Sequence, residues 1–129
     1  MVQPDGVLFA GDIVQNGRVP FMNSDDVATR RWLTSLKEVD DLQPTFIIPG
    51  HGMPSTKAKE AIAFTSNYIG YVRAAMKKAV DEWTDFDTAY KTTDWSAYEK
   101  LPAFNANNRG NAYRVFLELE GSNFGRENK

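Results

Sequence analysis

Two short apolar runs, each broken off by glycine and a polar side chain, constrain this chain most. Val7-Leu8-Phe9-Ala10 ends at Gly11-Asp12, and Thr45-Phe46-Ile47-Ile48-Pro49 ends at Gly50-His51-Gly52. Neither run alternates polar and apolar residues, and the second is rich in Phe and Ile. Both therefore read as buried strands, the second as one covered on both faces. Pro4-Asp5-Gly6 is a turn signal ahead of the first. Between the runs, Ala28, Trp32, Ser35 with Leu36, and Val39 recur at helical spacing, which predicts an amphipathic helix over about 25–42. Ser24 is placed to cap it, Asp25 and Asp26 suit the positive end of its dipole, and Gln43-Pro44 ends it. A strand, a helix and a second strand form one right-handed parallel unit.

The rest of the chain reads as helical. Ser55 or Thr56, after Pro54, is placed to cap a long helix over about 57–83, whose apolar stripe is Ile62, Ile69, Val72, Met76, Val80 and Trp83. A shorter helix is expected near 86–92, followed by an irregular aromatic segment, Trp95, Tyr98, Leu101 and Phe104, that packs back onto the core. A last helix over about 108–120 carries Ala112, Val115, Phe116 and Leu119 on one face, with Gly121 as its cap and Ser122 to Lys129 as a frayed polar tail. The fold class is α/β with two short parallel strands and mostly helix by content. The 129 residues form a single domain or fragment, with a strand-helix-strand unit over 1–56 and a helical region over 57–129. Two strands are too few for a stable sheet alone, so they read as part of something wider.

Composition excludes more than it assigns. A net charge of -2 and a pI near 5.4 leave no electrostatic footprint for nucleic acid or an anionic membrane. Lys57, Lys59, Lys77 and Lys78 read as the solvated face of the long helix. No apolar run reaches the roughly 18 residues of a spanning helix. The start of the chain lacks the basic end and long apolar centre of a signal peptide, and it enters a strand so early that further sequence is expected ahead of it. With no cysteine, disulfides, thiolate metal sites and cysteine nucleophiles are all excluded, and the compartment stays open.

Chemistry is concentrated at the two strand ends. In open α/β sheets, ligands collect beyond the carboxyl ends of the strands. Parallel neighbours bring Asp12 and His51, the only histidine, out at the same edge. A carboxylate and an imidazole there are half of an oxygen/nitrogen site that zinc, iron or manganese accepts. The flanking glycines permit a tight turn and leave the ring uncrowded. The plainer reading makes both residues ordinary turn groups bonded to nearby backbone.

The stretch LFAGDIVQNGRVPF, then a helix, then PTFIIPGHG, closely resembles the second half of the metallo-β-lactamase fold hydrolases, over Val7 to about Trp83. The ending NRGNAYRVFLELE is similar to a C-terminal extension in a branch linked to sulfur oxidation and quinoprotein systems. The resemblance implies the C-terminal part of an αββα sandwich. It makes Asp12 a ligand bridging two metal ions, usually zinc and sometimes iron or manganese, and His51 a ligand of the second ion. The implied reaction is metal-assisted hydrolysis of an ester, thioester, lactam or phosphoester in a small-molecule substrate. Arg18 and Phe21, on the loop after Asp12, would border the substrate pocket; the plainer reading of Arg18 is a solvated loop residue.

The family's His-x-His-x-Asp-His motif and its further metal-binding histidine are absent. A catalytic zinc needs about three protein ligands and a water. The chain is therefore expected to be the C-terminal portion of such a hydrolase, catalytically silent and weak in metal binding when alone. The missing half is its implied partner, in the same polypeptide or in a separate one. An unpaired strand edge and an uncovered apolar face would then drive oligomerisation, swapping or rearrangement. The alternative is a non-catalytic helical interaction module in which Trp83, Trp95, Tyr98 and Phe104 form a binding surface, against which stands plain core packing.

Overall fold

The structure, a computed structural model, describes residues 6–23 and 28–127; of His51 and residues 122–127 it describes the backbone alone. The order is β1 (Val7–Asn16), α1 (Thr29–Asp41), β2 (Phe46–Gly52), α2 (Ala58–Asp81), α3 (Phe86–Thr92) and α4 (Phe104–Glu127). The chain is mixed α/β and mostly helical. None of the described helices is long and apolar enough to cross a membrane.

β1 and β2 pair in parallel, with Val7 opposite Phe46 and Phe9 opposite Ile48. Both strands outrun their apolar residues. Pairing continues through Gly11 and Asp12 to Asn16 on one side and through Gly50 and His51 to Gly52 on the other. A backbone ladder is indifferent to side-chain polarity, so the strand ends expected at Ala10 and Pro49 are corrected outward.

Leu8, Val14 and Ile47 are buried in a core that also takes Leu36 from α1, Ile69 and Met76 from α2, and Val115 from α4. The other face of the sheet is not covered in the same way: Phe9 is 66% exposed, and Phe46 and Ile48 are only half-buried. The continuous apolar run of β2 led to an expectation of cover on both faces; among the described residues the sheet has full cover on one.

The helices follow the apolar stripes, with differences at their ends. α1 begins at Thr29 behind Ala28, which makes no side-chain cap. The expected cap Ser24, with Asp25 and Asp26, lies outside the described residues. Thr29 is buried; its hydroxyl accepts from Arg73 Nη1 at 2.7 Å and donates to Glu118, so α1, α2 and α4 meet there. α2 begins at Ala58 behind Lys57, which makes no side-chain cap; the Ser55 hydroxyl accepts from the Lys57 amide at 2.8 Å in the turn ahead of it, so neither Ser55 nor Thr56 is the cap. α4 begins at Phe104 rather than 108 and runs through Gly121 to Glu127, so Gly121 is not its cap and the stretch from Ser122 to Glu127 is helical. Interior glycine costs a helix only about 1 kcal/mol relative to alanine, too little to end one held by packing.

Trp83 is the clearest correction. It was expected on the apolar stripe of α2, but that helix stops at Asp81 and Trp83 stands 91% exposed at φ 59°. The Thr84 amide donates to the Ala79 carbonyl at 2.9 Å, and the Trp83 amide to Val80 at 3.3 Å. These are the two bonds of a Schellman ending, whose left-handed position glycine normally fills. Trp83→Gly is therefore expected to stabilise the protein by about 0.5–1 kcal/mol, with a rise of a few degrees in thermal midpoint by calorimetry. A lower midpoint would mean that the indole makes contacts that outweigh its backbone strain.

Candidate functional site

Parallel pairing brings the carboxyl ends of β1 and β2 to one edge, and the register there is irregular. Gly11 lies opposite Pro49 and Gln15 opposite His51, so Asp12, Ile13 and Val14 stand against Gly50 alone. This bulge turns β1 across β2 at close range. A β-carbon on Gly50 would collide with the Asp12 carboxylate and lie 2.7 Å from the Gly11 carbonyl carbon and 2.8 Å from the Asp12 nitrogen. At Gly52, where φ is +93°, it would collide with the Asn16 carbonyl oxygen and stand 3.0 Å from both the Asn16 carbonyl carbon and nitrogen.

The glycines beside His51 thus have a packing role that the sequence did not suggest. Gly50 lies within a strand, and both glycines admit the backbone of β1, with a tight turn geometry only at Gly52. As a result the Asp12 carboxylate rests over the residue that adjoins His51.

Three neighbouring elements hold the bulge. From α2, the buried Thr65 hydroxyl accepts from the Gln15 amide at 3.0 Å and donates to the Gln15 carbonyl at 3.2 Å. Gln15 is itself buried, and its Nε2 donates to the Asp12 carbonyl at 3.1 Å. From α1, Trp32 Nε1 donates to the Ile13 carbonyl at 2.8 Å. Beyond β2, the Met53 carbonyl accepts from Asn16 Nδ2 at 2.8 Å. Four backbone groups of the bulge, the Gln15 amide and the carbonyls of Asp12, Ile13 and Gln15, are thereby bonded outside the ladder, and this sets the path of Asp12.

Asp12 is exposed, as a ligand to a small molecule or ion requires. His51 is placed by its backbone, opposite Gln15. Arg18, half-buried, and Phe21, 61% exposed, lie on the segment that leaves β1 at this same end. Among the described residues, which exclude the His51 side chain, no group of three or more His, Asp or Glu side chains is placed to hold a metal.

Sequence reasoning missed the polar cluster behind that segment. The Tyr68 hydroxyl donates to Asn108 Oδ1 at 2.6 Å and accepts from Asn111 Nδ2 at 3.1 Å, while Asn108 Nδ2 donates to the Tyr90 hydroxyl at 3.1 Å. Tyr68, Asn108 and Asn111 are fully buried, and burial pushes the Tyr68 hydroxyl far above the usual phenol range. The signal was available in Asn105-Ala106-Asn107-Asn108-Arg109-Gly110-Asn111: so many poor helix formers leading into a helix call for buried partners.

The aromatic surface weighed as an alternative is divided. Trp95 is buried and meets Tyr90 at 5.3 Å and Phe104 at 6.4 Å between centroids, and Tyr98 stacks edge-on to Tyr68 at 5.1 Å. These three rings pack in or against the core, and Trp83 stands apart beyond the end of α2.

The chain matches no protein-family model and no curated protein.

The close approach of β1 has a measurable consequence. Gly50→Ala is expected to destabilise by about 1–3 kcal/mol in urea unfolding, because backbone rather than a flexible side chain must move. Gly70→Ala, in the middle of α2 with nothing within 4 Å of the added carbon, is expected to stabilise by about 0.5–1 kcal/mol. Equal effects at the two sites would contradict the close packing of the strands.

Proposed function

We propose that this chain is the C-terminal portion of a metal-dependent hydrolase with the metallo-β-lactamase fold, to which it contributes Asp12 and His51 as metal ligands. The observation that carries the reading is the bulge. It spends three residues of β1 against one of β2 and so lays the Asp12 carboxylate against Gly50, directly beside His51. A packing requirement alone would be met by a regular parallel ladder.

Two further features support it. The half-open face of the sheet, with Phe9 and Ile48 at its surface, is what a second layer of the sandwich would cover. The oxygen and nitrogen donors suit zinc, and also iron or manganese. They fit part of such a site, two ligands where a catalytic zinc takes about three, and the others belong to the missing half. When bound, the metal would supply a Lewis acid that polarises a carbonyl or phosphoryl group and acidifies water. The role of this chain is to hold the carboxylate and imidazole at one edge, with Arg18 and Phe21 on the rim, Arg18 suited to an anionic group of the substrate. Ester, thioester, lactam and phosphoester small molecules are the substrate classes implied. The chain alone is inactive.

Zinc titration of the purified chain tests this reading. Weak binding, in the micromolar range or above, is expected, abolished by Asp12→Ala and by His51→Ala. Tight stoichiometric binding that either variant removes would show a complete site in this chain. Binding indifferent to both variants would remove these residues from the metal altogether.

A further inference from the structure

The segment Gly17–Asn23, which leaves β1 beyond Asp12, is held along its backbone by one face of α4. Asn107 Nδ2 donates to the Val19 carbonyl at 3.2 Å. Asn111 serves both sides of the next residues: its Nδ2 donates to the Pro20 carbonyl at 2.6 Å, and its Oδ1 accepts from the Met22 amide at 2.7 Å. Gly110 lets the helix approach so closely that a β-carbon there would stand 2.9 Å from Asn23 Nδ2. Positions 107, 110 and 111 share one stripe of a helix. The Val19 amide donates to the Pro102 carbonyl at 3.1 Å, just ahead of α4.

These bonds read the backbone of the segment, so they set its path whatever its side chains are. Val19 and Met22 are fully buried, and Phe21 between them is turned outward. The Asn111 amide is itself locked from behind, because its Nδ2 also reaches the buried Tyr68 hydroxyl, which in turn donates to Asn108. Its oxygen therefore faces the Met22 amide and its nitrogen faces Pro20. A leucine, which has the same branching but no polar atoms, would leave both backbone groups buried without partners.

We propose that Asn107 and Asn111 are positioning residues that fix Gly17–Asn23, and so set where Arg18 and Phe21 stand beside the edge that carries Asp12 and His51. Its functional meaning rests on the reading of that edge as a metal site, whereas the positioning itself does not. α4 thereby acts on the rim of the site without touching a ligand there. Pre-organisation of this kind lowers the ordering cost of a ligand that meets the rim.

NMR-detected amide hydrogen exchange on the metal-free chain tests the proposal, so its failure is separable from failure of the zinc titration. In Asn111→Leu, and more mildly in Asn107→Ala, the amides of Val19 and Met22 are expected to exchange about tenfold faster or more. Those of the Val7–Phe9 ladder and the centre of α2 should keep their rates, and Phe21→Ala should change none of them. Unchanged protection of Val19 and Met22 in both asparagine variants would overturn the proposal. So would a uniform acceleration through sheet and helix, which is what a merely structural role predicts.

Discussion

The passage of β1 across Gly50 and Gly52 is the contact on which the rest of this structure depends. Two parallel strands in regular register need no glycine at such positions; here the backbone of one occupies the space where the side chains of the other would stand. The bulge that results leaves backbone groups outside the ladder, and those of Gln15, which are buried, would cost about 1–3 kcal/mol each if left unpaired. Thr65 satisfies both groups of Gln15, and Gln15 and Trp32 satisfy the carbonyls of Asp12 and Ile13. The helices thus cover the sheet and also fix its irregularity. The side chain at position 12 is laid against Gly50 because α1 and α2 hold the bulge there.

A second polar system runs through the other half of the molecule. Tyr68, Asn108 and Asn111 are buried yet mutually bonded, and desolvation keeps the Tyr68 hydroxyl protonated far above neutral pH as a permanent donor to Asn108. Fully satisfied networks of this kind specify one arrangement of helices where apolar contacts alone would tolerate several. Together with Thr29, Arg73 and Glu118, which tie α1, α2 and α4, they make the register of α4 against α2 a matter of hydrogen bonds as much as of Val115 and Phe116 packing.

The apolar stripes of α1, α2 and α4 are legible in the sequence because each repeats the helical period, and parallel pairing is legible because a helix joins the two apolar runs. Phe86–Thr92 falls where its pattern predicts, with Asp85 accepting from the Thr88 amide as its cap. Trp83 was misplaced because spacing alone cannot tell the last turn of a helix from the left-handed residue that follows it. The start of α4 was missed because asparagine reads as a loop former until its partners, Tyr68 and the backbone of Val19 to Met22, are brought in from distant sequence. That the carboxyl ends of the two strands share one edge was legible from strand order. The reason for the glycines was not, since close approach of β1 is a tertiary fact with no local signature. Gln15 and Thr65, which hold the bulge, are 50 residues apart and carry no motif.

The central claim is that Asp12 and His51 serve one and the same metal ion. Because His51 is the only histidine, its ring nitrogens can be followed without ambiguity by 15N NMR of the histidine-labelled chain as zinc is added. Zinc is expected to shift one ring nitrogen strongly in the unaltered chain, and Asp12→Asn to remove most of that shift at the same zinc concentration. An equal response in both proteins would show that His51 binds zinc without Asp12, and would contradict the claim.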